Sequence, residues 1–263
     1  MTYLDATILG IVEGITEYLP ISSTGHLILA GHFLKLGESE GLKAFDVVIQ
    51  FGAILAVLGL YRDQVFKMIK GIFGKDKEGL HLALCLILSC LPVIFIGLPL
   101  KDTIQAHLFS VPTVAWALLV GGVAMIGMEF YLGKKEKFVT ELTYKAALII
   151  GFFQCLALFP GTSRSMVTII GAILMGLNRT KAAEYSFLLA LPVLGGACLI
   201  DSMQSYDVLL RDVGLTNIFI GLVVSCIVAA LSIKALVSFL NRFGFTAFGV
   251  YRVAVSAFLF FVI

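Results

Sequence analysis

Two short polar stretches in an otherwise apolar chain hold the side chains able to do chemistry. The first reads Glu13-Gly-Ile-Thr-Glu17-Tyr-Leu-Pro20-Ile-Ser22-Ser23-Thr24-Gly25-His26. Glu13 and Glu17 are one helical turn apart, as are Ser23 and His26, so each pair shares a helix face. The second runs from Gln154 through Phe159-Pro160-Gly161-Thr162-Ser163-Arg164-Ser165-Met166-Val167-Thr168. Pro-Gly followed by hydroxyl residues favours a helix start, with Thr162 or Ser163 at the N-cap. Such a start aims free N–H groups and partial positive charge at an anion. Arg164 adds a planar fork of donors suited to phosphate oxygens. Carboxylates, Ser and His on one stretch and an anion cradle on the other suit phosphoryl chemistry, with serine and histidine as nucleophile and base.

The elements that position these groups must sit in lipid. Of 263 residues, 59% are hydrophobic and 14% charged, with mean hydropathy +1.01; a water-soluble domain carries about a quarter charged residues. Ten apolar segments span 3–19, 22–36, 44–61, 80–100, 112–132, 141–159, 163–177, 182–200, 216–240 and 248–263, separated by polar connections that include the Lys-rich 62–79. Helices are expected, since only helices and closed barrels satisfy the backbone in hydrocarbon, and no period-2 pattern is present. No cleavable leader is expected, because Asp5 stands where a basic cluster would. Ionisable residues at such depth are functional hypotheses by default.

Sliding the chain by 140 residues aligns Pro20 with Pro160, Ser22-Ser23 with Thr162-Ser163, Gly31 with Gly171 and Phe45 with Tyr185. A single transmembrane domain, 1–263, built from a duplicated pair of halves, 1–140 and 141–263, is therefore expected. Counting Lys and Arg by side sets eleven on one (Arg62, Lys67, Lys70, Lys75, Lys77, Lys134, Lys135, Lys137, Arg179, Lys181, Arg242) against four on the other (Lys35, Lys43, Lys101, Arg211). The richer side faces the cytoplasm, which puts both termini outside. The first two segments of each half are too short to cross comfortably. Drawn as re-entrant hairpins, they bring both proline tips together near the midplane, as broken helices do in inverted repeats. The expected fold is all-α and polytopic: two inverted-topology repeats, six transmembrane helices and two re-entrant hairpins.

Other polar residues admit plainer readings. Five cysteines without CxxC spacing suggest neither disulfides nor a thiolate metal site. Ser22 and Thr24 could act only as caps, and Gln50 as interhelical glue. His32, His81 and His107 lie at segment ends, as interfacial residues do. Arg252, Lys145 and Lys234 read as headgroup anchors. No basic stripe suggests nucleic acid.

Taken together, Glu13-xxx-Glu17, Leu19-Pro20-x-Ser22-Ser23-Thr24-Gly25-His26, Ile49-Gln50-x-Gly52-Ala53-Ile54 and Pro160-Gly161-x-Ser163-Arg164-Ser165-xx-Thr168 resemble the undecaprenyl-diphosphate phosphatases, also called bacitracin-resistance proteins, over nearly the whole chain. Met166 stands where that family usually has glycine. The resemblance implies hydrolysis of a C55 isoprenyl diphosphate to undecaprenyl phosphate and inorganic phosphate. That reaction recycles the lipid carrier of bacterial cell-wall synthesis and confers bacitracin resistance. It further implies a divalent cation, Mg²⁺ or Ca²⁺, and a site in the bacterial cytoplasmic membrane open to its outer face. Carried over, the roles are Ser23 as nucleophile, His26 as base, Glu17 orienting His26, and Glu13 with Glu17 near the metal. Arg164, Ser22, Thr24, Ser163, Ser165, Thr168 and Gly161 would hold phosphate, and His26 as nucleophile is the alternative. Expected partners are the isoprenyl diphosphate lipid, the bilayer and, as an option, a second copy of the chain. The competing class is a transporter or flippase of a prenyl phosphate lipid.

Overall fold

A computed structural model describes residues 1–37, 39–108, 110–132, 138–139 and 141–262. The basic cluster Lys134, Lys135 and Lys137 lies outside them, as does the side chain of His107. Among the described residues the chain is helical, with no strand. In order, the helices are α1 Tyr3–Thr16, α2 Ser23–Phe33, α3 Glu40–Leu60, α4 Arg62–Ile72, α5 Lys77–Leu108 and α6 Val111–Leu132. Then come α7 Tyr144–Cys155, α8 Arg164–Leu174, α9 Arg179–Gln204, α10 Tyr206–Val208 with a π turn Leu209–Val213, α11 Leu215–Phe243 and α12 Thr246–Val262.

Helix starts follow local chemistry. Thr2, Ser22, Ser39, Thr143, Ser163 and Asn178 each accept a backbone N–H from the first turn of the helix they precede, which satisfies one of the donors that a helix start leaves unpaired. Five stretches are long and apolar enough to cross a membrane: Glu40–Leu60, Lys77–Gly97, Val111–Phe130, Arg179–Gln204 and Leu215–Leu240. Exposed apolar side chains on them, among them Leu55, Phe95, Trp116, Val120, Phe219 and Leu231, mark faces that meet hydrocarbon. By contrast α2 and α8 have 11 residues each, about 16 Å of helix, against a hydrocarbon core of about 30 Å.

Three connections differ from expectation, one of them 101–111, into which α5 continues as far as Leu108. The Lys-rich stretch after Leu60 is not simply a loop, because α4 fills much of it. Phe66, Ile69 and Ile72 expose an apolar stripe there beside Arg62, Lys67 and Lys70. The stretch after Ile200 is also helical, through α10 and the π turn, as far as Val213.

Small residues set the packing. α11 lies against both α1 and α3, and a Cβ at Gly14 would sit 2.8 Å from the Ser225 carbonyl oxygen, one at Gly52 2.3 Å from that of Leu222. These approaches admit no larger residue, as in other close helix pairs in lipid. The other main pairings are α6 with α12, α5 with α7, and α3 with α9.

This seam makes a measurable prediction. Gly52→Val should destabilise the protein by about 1–3 kcal/mol through overpacking, read as a lowered melting temperature in detergent. Gly127→Ala, where a Cβ meets nothing within 4 Å, should leave melting unchanged; equal melting of both variants would contradict the seam.

Candidate active site

The two polar stretches form matching turns. Ser22 caps α2 with φ 74° and ψ 99°, and Ser163 caps α8 with φ 74° and ψ 110°. A non-glycine residue at positive φ costs roughly 1–3 kcal/mol and persists only where its surroundings hold it. The caps lie 141 residues apart, one more than the sequence offset, because the second tip places Gly161 and Thr162 between its proline and its cap where the first has only Ile21. Gly161 is needed as glycine: its φ is +88°, and a Cβ would lie 2.8 Å from the Val114 carbonyl oxygen.

The turns are bonded to each other. Arg164 Nη2 donates to Glu17 Oε1 at 3.0 Å, with both side chains nearly inaccessible. Ser23 Oγ donates to the other oxygen of the same carboxylate, Oε2, at 2.8 Å. Ser165 Oγ donates to the Leu19 carbonyl at 3.0 Å. One carboxylate thus joins the serine of the first tip to the arginine of the second. Ser163 Oγ lies 3.1 Å from Ser165 Oγ, and Thr24 is half-buried in the first turn of α2.

Arg164 is held from behind. Its Nη1 donates to the Ser186 carbonyl at 2.8 Å, Ser186 Oγ lies 2.6 Å from Thr168 Oγ1, and Thr168 Oγ1 donates to the Arg164 carbonyl at 2.9 Å. The guanidinium also lies 5.9 Å from the centre of the Tyr18 ring, within cation–π range. Its Nε is buried without an acceptor.

His26 is placed differently from expectation. Its Nδ1 lies 2.7 Å from the Ser22 carbonyl, which can only accept, so the proton sits on Nδ1. Nε2 then accepts from the Tyr251 hydroxyl at 2.8 Å. Both ring nitrogens are therefore engaged away from Ser23 and Glu17. Glu17 does not orient His26 in this conformation; Ser22 and Tyr251 do.

Arg252 corrects a plainer reading. It is no headgroup anchor: it is fully buried and donates to five backbone carbonyls. Nε meets Leu118, Nη1 meets Pro20, and Nη2 meets Ala117, Gly161 and Thr162, all at 3.0–3.3 Å. The site of a buried charge is set by its acceptors, and these lie inside the bundle. Gln50 accepts from Cys198 Sγ at 3.6 Å, a contact between α3 and α9. His81 is engaged with the Leu142 carbonyl at 2.8 Å.

Charge balance leaves openings. Glu13 is completely buried with neither oxygen bonded, and Asp46 Oδ1 is likewise buried without a partner. The bare Glu13 carboxylate, one helical turn from Glu17, fits a hard divalent ion of the magnesium kind, held by one or two carboxylates and completed by water and phosphate oxygens. Among the described residues no three His, Cys, Asp or Glu side chains converge into a closed cage. The polar residues that motif reading missed are Ser186, Tyr251 and Asp46, which lie in apolar segments outside the two polar stretches.

The Arg164–Glu17 pair can be weighed by stability. Arg164→Met should destabilise by about 3–5 kcal/mol, because Glu17 is left buried and unpaired. The double variant Arg164→Met/Glu17→Gln should regain much of that, measured by unfolding in detergent. Additive losses would show the two side chains to be uncoupled.

The chain is similar to a family of known proteins over nearly its whole length. The family described as "Bacitracin resistance protein BacA" matches residues 6–258. The chain is 44% identical over 262 residues to "Undecaprenyl-diphosphatase" of Sorangium cellulosum, covering 98% of this chain and 85% of the relative. It is 44% identical over 254 residues to "Undecaprenyl-diphosphatase" of Acinetobacter baumannii (96% and 93%). It is also 43% identical over 256 residues to "Undecaprenyl-diphosphatase 1" of Clostridium acetobutylicum (95% and 93%).

Proposed function

The chain belongs to the BacA bacitracin-resistance family, and from that premise we propose that it is an undecaprenyl-diphosphate phosphatase. It hydrolyses the terminal phosphate of a membrane-bound isoprenyl diphosphate, releasing undecaprenyl phosphate and inorganic phosphate. The observation that carries the mechanism is the shared carboxylate: Glu17 accepts from Ser23 on one oxygen and from Arg164 on the other. A diphosphate entering between the tips competes with Glu17 for Arg164, whose fork and unpaired Nε suit phosphate oxygens. Glu17, released from its cation, becomes the base for Ser23.

Ser23 Oγ then attacks the terminal phosphorus while its proton passes to Glu17. The bond from phosphorus to the bridging oxygen breaks, and the lipid monophosphate departs. Water then attacks the phosphoserine phosphorus, Glu17 gives its proton back to Ser23 Oγ as that bond breaks, and the hydrogens of the water leave with inorganic phosphate. Arg164 and the first-turn N–H groups of α8 stabilise the charge on the transferring group. His26, fixed by Ser22 and Tyr251, stands at the edge of the first tip. Ser22, Thr24, Ser163, Ser165, Thr168 and Gly161 shape the two turns around the phosphates. A bound Mg²⁺ or Ca²⁺ would be held by Glu13 and Glu17 and would neutralise phosphate charge.

The architecture we infer is a pair of inverted repeats. Each half contributes five helices: α1, α2, α3, α5, α6 and α7, α8, α9, α11, α12. Packing exchanges between the halves: α1 lies on α11 of the second, α7 lies on α5 of the first, and α3 and α6 meet their own counterparts α9 and α12. An odd number of helices per half inverts the second. Short α1–α2 and α7–α8 are then re-entrant hairpins, and α12 is the sixth span. The Lys/Arg count supports termini on the outer side, and the family resemblance implies a site open to the outer face of the bacterial cytoplasmic membrane.

The test is phosphate release from undecaprenyl diphosphate in detergent with Mg²⁺ or Ca²⁺. Ser23→Ala should lose at least about 10³-fold in kcat, and Arg164→Lys about 10²-fold. Labelled phosphate should be trapped on Ser23; trapping on His26 would reassign the nucleophile. Wild-type protein that releases no phosphate yet moves the lipid across vesicles would make it a carrier.

Metal dependence gives a separate check. Chelation should abolish turnover, and the metal's rise in melting temperature should need about tenfold or more ion in Glu13→Gln. An unchanged metal titration would remove Glu13 from the cation site.

A further inference from the structure

Resting on the hydrolase reading, we propose that Arg252 is a positioning residue for this reaction: a buried cation that holds both tips in their strained, reactive conformation. Three of its five acceptors are the carbonyls of Pro20, Gly161 and Thr162. Gly161 and Thr162 immediately precede the cap Ser163, and Pro20 lies two residues before the cap Ser22. Among the described residues, these caps are two of the three non-glycine residues at positive φ. The remaining acceptors, Ala117 and Leu118 of α6, tie the tips to a long helix.

The geometry carries this beyond packing. In a trans peptide the N–H points opposite to the carbonyl. A Thr162 carbonyl turned to the guanidinium therefore turns the Ser163 N–H away from it, at the start of the helix proposed to receive phosphate. The same cation fixes the first tip through Pro20, upstream of Ser23. One side chain thus sets the relation between nucleophile and phosphate cradle. None of its bonds goes to a carboxylate among the described residues, so its charge is not cancelled locally. Five carbonyls around one planar group need a fork; lysine offers only a point charge.

The expected signature lies in turnover. A small misplacement of reacting groups costs on the order of 10²-fold. Arg252→Met and Arg252→Ala should therefore lose about 10²-fold in kcat while KM for undecaprenyl diphosphate stays within about threefold. Arg252→Lys should lose about tenfold. Guanidinium ion in the millimolar range should restore Arg252→Ala by about tenfold or more, and methylammonium at equal concentration should not. Should the smaller variants fail to fold, Arg252→Lys carries the test through its kcat-against-KM split. A kcat within about threefold of wild type in Arg252→Lys and Arg252→Met, or a loss confined to KM, overturns the proposal. Wild-type protein assayed alongside separates the two levels: its failure to release phosphate would instead remove the hydrolase reading.

Discussion

Everything in this molecule answers to one constraint: in hydrocarbon, a backbone or charged group without a partner costs several kcal/mol. Two chain reversals inside an apolar bundle therefore cannot stand alone. Each tip here lacks what the other has. The first brings carboxylates, and the second brings a guanidinium. Between them Arg252 supplies donors to carbonyls from both. The tips meet because neither can be satisfied separately, and their meeting assembles the site.

That satisfaction is incomplete in a telling way. Glu13 and one nitrogen of Arg164 are left without partners in the middle of the bundle, although neighbouring hydroxyls are bonded with care. Unsatisfied groups of this kind call for an explanation, and an anionic substrate with a cation provides one for both signs of charge. The supporting contacts behind Arg164, through Ser186 and Thr168, hold the guanidinium in place before any ligand arrives. Preorganised donors of this kind do not have to rearrange as charge develops.

How much of this was legible in the sequence depended on whether a residue had a bland alternative. Glu13, Glu17 and Arg164 lie in apolar runs where no solvated face exists, so their types and spacing pointed to a site. Arg252 sits near the beginning of the last apolar segment, where a headgroup anchor explains it equally well. A cage of backbone carbonyls leaves no pattern in side chains, so only the fold reveals it. His26 and Ser23 share a helix face, yet spacing could not tell that Tyr251 and Glu17 would claim them. Matching identities aligned the prolines, whereas the caps align one residue later, because a glycine turn lengthens the second tip. The apolar stripe of α4 recurs at helical spacing within a Lys-rich stretch whose charge suggested a loop.

The contacts between the tips also bear on why this family performs chemistry rather than carriage. A carrier built on inverted repeats must part its broken helices, opening first to one side and then to the other. Here that would break the Ser165 bond to Leu19 and some of the five bonds of the buried Arg252 guanidinium, contacts that the hydrolytic reaction leaves in place. Hydrogen bonds to charged groups are worth about 1.5–3 kcal/mol each, and broken here they would leave charges bare in hydrocarbon. A reaction on a headgroup that enters from one face asks for the opposite: fixed tips, an aligned nucleophile and room for phosphate alone. In this bundle two unlike tips are instead tied to each other by direct hydrogen bonds.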